Sequence, residues 1–158
     1  MSEFNFKSQI CTSREQSERL LALGLKKETA DMCYKVTTHD FKGNEINEKD
    51  RHYTLCCWYD ESSLVCGLER KETIPAWSLH RLLCMIPNIL RAEKPFENSF
   101  SSLMNIVIST LGIAYYYEDY DENRIYEFEC FGNLMEASVD AIEWLIKEGY
   151  FPKEYLEE

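Results

Sequence analysis

The sequence predicts an α+β fold: a small, mostly antiparallel sheet from two hairpins, at about 52–69 and 113–131, covered by three or more helices. Three observations carry this. The segments "HYTLCCWY" and "RIYEFECF" alternate in character with the period of two that a half-wet strand requires. Segments near 13–24, 78–86 and 133–148 instead repeat apolar residues at helical spacing. Finally, 45% of the 158 residues are hydrophobic, enough to bury a core within a single domain spanning 1–158.

The elements follow in chain order. "CTSREQSERLLALGL" carries two overlapping capping-box candidates, Thr12 with Glu15 and Ser13 with Gln16, either of which satisfies orphan backbone N–H groups. Gly24 fits the left-handed position that ends this helix, with Leu25 packing back as its apolar partner. A second short helix is expected from about Thr29 through "ADMCY". Residues 37–51 are polar and contain Gly43, so they read as a loop. "HYTLCCWY" is then a strand, turned by "DESS" into "LVCGLER" to complete the first hairpin.

"TIPAWSLHRLLCMIP" is expected to be a helix that stops at Pro87, with Trp77 anchoring its entry. Leu79, Leu82, Leu83 and Ile86 would form its buried stripe, with Arg81 and Met85 pointing away. "NILRAEKPFENSFSS" reads as irregular, and the β-branched residues of "LMNIVIST" tilt it toward strand. "IAYYYEDYDENRIYEFECF" is the clearest hairpin, tipped by "DEN". On its return strand Tyr126, Phe128 and Cys130 form a dry face, with Glu127 and Glu129 on the wet one. In the last helix Leu134, Ala137, Ala141, Ile142, Leu145 and Ile146 form an apolar face ended by Gly149. Glu136, Asp140, Glu143 and Lys147 read as its solvated side.

Charge is unevenly placed. Residues 1–117 hold 15 acidic and 14 basic side chains, whereas residues 118–158 hold 13 acidic and 3 basic. Phosphate neutralisation needs Lys and Arg, so direct nucleic-acid binding is not expected. No apolar stretch approaches the ~20 residues of a membrane span, and the N-terminus lacks a signal-peptide pattern. The seven cysteines show no C-x-x-C pair, which suits reduced thiols of a cytoplasmic protein rather than disulfides or structural zinc.

For chemistry, helical spacing brings His80 and Cys84 together, as a thiolate nucleophile would require, but no orienting third group is visible. His52 and Cys56 share that spacing on a strand, where it separates them by about 13 Å. Glu118, Asp119, Asp121 and Glu122 cluster at the hairpin tip without the calcium-loop pattern, so neither a metal nor a cofactor is expected. The strand "AYYYEDY" presents tyrosines on both faces. Exposed tyrosines amid carboxylates make a plausible contact surface, since tyrosine offers large area with few torsions to freeze.

Three stretches together, "TSREQSERLLALGLKKETADMCY", "IPAWSLHRLL" and "AIEWLIKEGY", resemble a family of small uncharacterised proteins encoded in prophage and mobile-element regions of gut bacteria. The resemblance implies that genomic setting and no activity. The expectation is therefore a non-enzymatic interaction protein that binds a basic protein partner through Tyr116, Glu118, Asp119, Tyr120, Asp121 and Glu122. The alternatives are a small hydrolase or transferase using His80, with Cys84 or a loop acid, and a structural homo-oligomer.

Overall fold

Ser13 caps the first helix. Its hydroxyl accepts from the Gln16 N–H while the Gln16 side chain accepts from the Ser13 N–H, closing the capping box that begins α1 (Arg14–Ala22). The other candidate box is not used, because the Thr12 hydroxyl is turned inward to Ser17 and to the Trp77 N–H. At the far end the Leu25 N–H donates to the Leu20 carbonyl across Gly24, and Leu25 is fully buried. The computed structural model describes residues 9–40, 42–57, 71–91, 103–119 and 121–157, with the backbone alone described at residues 57, 71 and 72.

The expected helix from Thr29 does not form. A three-residue 3₁₀ turn, Lys27–Thr29, is followed by β1 (Met32–Thr37). The Asp31 carboxylate accepts from the N–H and hydroxyl of Ser78, so it ties the strand entry to a distant segment and caps no helix. β1 is the centre of an antiparallel three-stranded sheet, flanked by β2 (His52–Cys57) and β3 (Lys71–Ala76). Of the expected first hairpin, β2 is a strand and pairs with β1, and residues 58–70, which hold its expected turn and return strand, lie outside the described residues. β3 escapes sequence reading because it contains Pro75, which an edge strand tolerates where a central strand would lose a ladder bond.

Helix α2 (Leu79–Met85) is capped by the Ser78 hydroxyl. Its buried face is rotated from expectation: Leu82, Met85 and Ile86 are buried, while Leu79 and Leu83 are half-buried. The reason is Arg81, whose guanidinium donates to the Thr29 carbonyl and so fixes the helix orientation. After it, β4 (Ile89–Arg91) forms where irregular chain was expected; residues 92–102 lie outside the described set.

β5 (Leu103–Ser109), β6 (Gly112–Glu118) and β7 (Arg124–Phe131) complete a second antiparallel sheet in the order β4-β5-β6-β7. Both the strand assignment of 103–109 and the 113–131 hairpin match the sequence. Across this sheet lies α3 (Leu134–Lys147), which also contacts α1 and α2. Trp144 is its anchor, stacked 5.5 Å from the Tyr115 ring and 5.1 Å from the Phe128 ring. One apolar cluster joins α1, Trp77, α2, β6 and α3.

Candidate functional site

His80 and Cys84 do meet: Cys84 Sγ lies 3.6 Å from His80 Nε2, one turn apart on the exposed face of α2. Among the described residues no carboxylate or hydroxyl hydrogen-bonds the imidazole, and neither residue lines the cavity described below. A general base without an orienting partner is poorly placed for nucleophilic catalysis.

The acidic hairpin tip has a structural explanation for one of its carboxylates. Asp119 Oδ1 accepts from the N–H groups of Asp121 and Asn123, and its Oδ2 accepts from the Asn123 amide. These bonds hold its carboxyl below the usual range, the Asn123 side chain contributing most. The same device recurs at Asp40, which accepts from Lys42 N–H, Asn44 N–H and the Asn44 amide. Each aspartate thus accepts from the residues two and four positions further on, at a D-x-x-x-N spacing present in both "DFKGN" and "DYDEN". They differ at the fourth position: Gly43 has φ 81° and Glu122 has φ 61°. Replacing Glu122 with Gly should therefore stabilise the hairpin by roughly 0.5–1 kcal/mol, seen as a higher denaturant midpoint with unchanged slope.

The remaining tip residues diverge. Glu118, Asp121 and Glu122 are exposed, whereas Tyr116 is 8% exposed, its ring under the Arg124 guanidinium (4.7 Å) and 5.7 Å from Tyr126. Tyr120 lies outside the described residues. Phe131 is exposed at the far end of β7, at 69%, and near the tip the exposed aromatic among the described residues is Tyr126, at 43%. The cause is a β-bulge. Tyr115 pairs with Phe128 but Tyr116 pairs with Tyr126, so Glu127 is the extra residue. The bulge moves Tyr126 out of the dry face shared by Phe128 and Cys130, and the simple alternation read from the sequence fails at this point.

Its second effect is to bring Glu127 beside Tyr117. A cavity of about 390 Å³ opens there, lined by Met104, Tyr117, Glu127, Trp144, Glu148 and Tyr150. Tyr150 reaches it because Gly149 takes φ 76° and the Tyr150 N–H folds back to the Leu145 carbonyl. That places the Tyr150 ring 5.8 Å from Trp144. Burial, with Tyr150 and Glu127 adding to it, pushes the Tyr117 hydroxyl up to about 12, so it stays protonated at neutral pH.

The acidic stripe of α3 is not simply solvated. Arg19 of α1 donates to Glu136 at 2.6 Å, Asp140 at 2.7 Å and Glu143 at 2.8 Å, and Gln16 donates to the second oxygen of Glu136. Asp140 also accepts from the Cys130 thiol, which burial first and that carboxylate second push up to about 11. Arg19→Ala leaves three carboxylates facing one another. With its side chain 38% exposed, the expected loss is about 1 kcal/mol. Added salt should restore part of it, which a salt series of unfolding midpoints reads out.

No protein-family model, curated protein or solved structure matches the chain. Among the described residues no group of three His, Cys, Asp or Glu is placed to hold a metal ion, and no helix is long and apolar enough to cross a membrane.

Proposed function

We propose that the chain is a non-enzymatic interaction protein of a bacterial mobile element, binding a basic protein partner through its acidic C-terminal quarter. One observation carries this reading. Arg19 takes up the acids of α3 that face α1, but among the described residues no ion pair holds Glu118, Asp121, Glu122, Glu127, Glu129 or Glu148, all exposed. They lie on the β6–β7 hairpin and at the end of α3, so the field is concentrated where Tyr126 is also exposed. Such a surface steers a positive partner and suppresses negative ones.

The test is capture of bacterial proteins on the immobilised chain, eluted between ~0.1 and ~1 M salt, where the screening length falls from ~10 to ~3 Å. The expected result is a basic protein released by salt and captured less by the Asp121→Asn/Glu122→Gln variant. Capture that is insensitive to both salt and the variant would rule the reading out.

A further inference from the structure

We propose that Cys33 and Cys56 are a redox pair that closes into a cross-strand disulfide under oxidising conditions and opens again under reducing ones. The two are direct partners in the register of β1 and β2. Directly opposed residues of an antiparallel pair share a face of the sheet and stand about 4.5–5.5 Å apart at Cα. A disulfide requires roughly 4.4–6.8 Å, so the bond forms without a change of register. Among the described residues no other two cysteines are strand partners.

The two positions differ in access, as the two steps of the chemistry require. Cys56 lies on a flanking strand and is half-buried, its thiol 3.7 Å from the Thr54 carbonyl. Cys33 lies on the central strand and is 4% exposed. The co-reactant is a small disulfide such as glutathione disulfide. The Cys56 thiolate attacks one of its sulfurs: the small S–S bond breaks, a mixed disulfide forms on Cys56 and one thiolate leaves. The Cys33 thiolate then attacks the Cys56 sulfur and expels the second. The two thiol protons pass to the departing thiolates, so the pair loses two electrons and the small disulfide gains them. Burial keeps Cys33 from meeting a bulky disulfide directly, while its register position lets it resolve the adduct on its partner.

Reversibility follows from the sheet. Cβ atoms of opposed residues sit about 4.5–5.5 Å apart, against a mean near 3.8 Å in a disulfide. Drawing them together strains the ladder, and strained bonds are the readily reduced ones. The reduced thiols expected from the cysteine spacing are then the resting form, and oxidation fastens β2 to the centre of its sheet. The pair is independent of the acidic surface, which lies on the other sheet and α3.

The experiment treats the full chain with glutathione disulfide, alkylates the remaining thiols and maps the products by mass spectrometry. The expected product is a link between the peptides holding Cys33 and Cys56, lighter by two hydrogen atoms and opened again by excess reduced glutathione. The link should persist in Cys57→Ser, whose position is paired with Met32, and vanish in Cys56→Ser. An unchanged circular dichroism spectrum for both variants shows that the fold is kept. In denaturing urea, where β1 and β2 are apart, the same treatment should give mixed pairings instead. No link, a lasting glutathione adduct on Cys56, a link that survives Cys56→Ser, the same preference in urea, or a link that reduced glutathione does not open would overturn the pair.

Discussion

Trp77→Ala is expected to cost about 3–5 kcal/mol, a large share of the 5–15 kcal/mol that holds a domain together. Trp77 is fully buried in the cluster that joins α1, α2, β6 and α3, so truncation opens a cavity where these elements meet. Its indole N–H donates to the Thr29 hydroxyl at 2.9 Å, and its backbone exchanges bonds with Thr12. Trp77→Phe separates the two contributions. It keeps most of the volume and leaves the Thr29 hydroxyl without its donor, for a smaller loss of about 1–2 kcal/mol. Urea unfolding of both variants reads the difference, and equal midpoints for Ala and wild type would refute this packing.

Gly112→Ala should be nearly as damaging, by about 3 kcal/mol or more. Gly112 has φ 150°, and a methyl group there would fall 2.0 Å from the Cys130 carbonyl oxygen. That oxygen belongs to the backbone of β7, so relief requires the strands to part at the Gly112–Phe131 pair. Overpacking and backbone strain each contribute 1–3 kcal/mol in such settings. Amide exchange should accelerate first along β6 and β7. Protection equal to wild type would show that the close approach is absent.

What the sequence disclosed was local. Ser13, Gly24 and Gly149 mark helix ends because capping depends on neighbours within one turn, and the 113–131 hairpin follows from alternation on both sides of a tip. What it concealed was set by distant partners. Met32–Thr37 has no helix in it because β2 and β3 bracket it and Asp31 is held by Ser78. Glu136, Asp140 and Glu143 have the spacing of a wet helix face, and nothing in that spacing reveals an arginine more than a hundred residues earlier.

The candidate site was legible only in part. The excess of acid after residue 117 is plain in the composition, and the tip acids are where the sequence put them. The bulge was invisible, because the run Tyr126 to Cys130 alternates smoothly on paper while the pairing slips by one residue at Glu127. With the bulge went the cavity, whose lining comes from β5, β6, β7 and both sides of the α3 terminus.

The most direct measurement is a map of amide and indole resonances perturbed by a lysine-rich peptide at low and at high salt. The account predicts shifts confined to residues 118–127 and 144–150, fading as salt rises. Shifts centred on His80 and Cys84, or a pattern unchanged by salt, would contradict it.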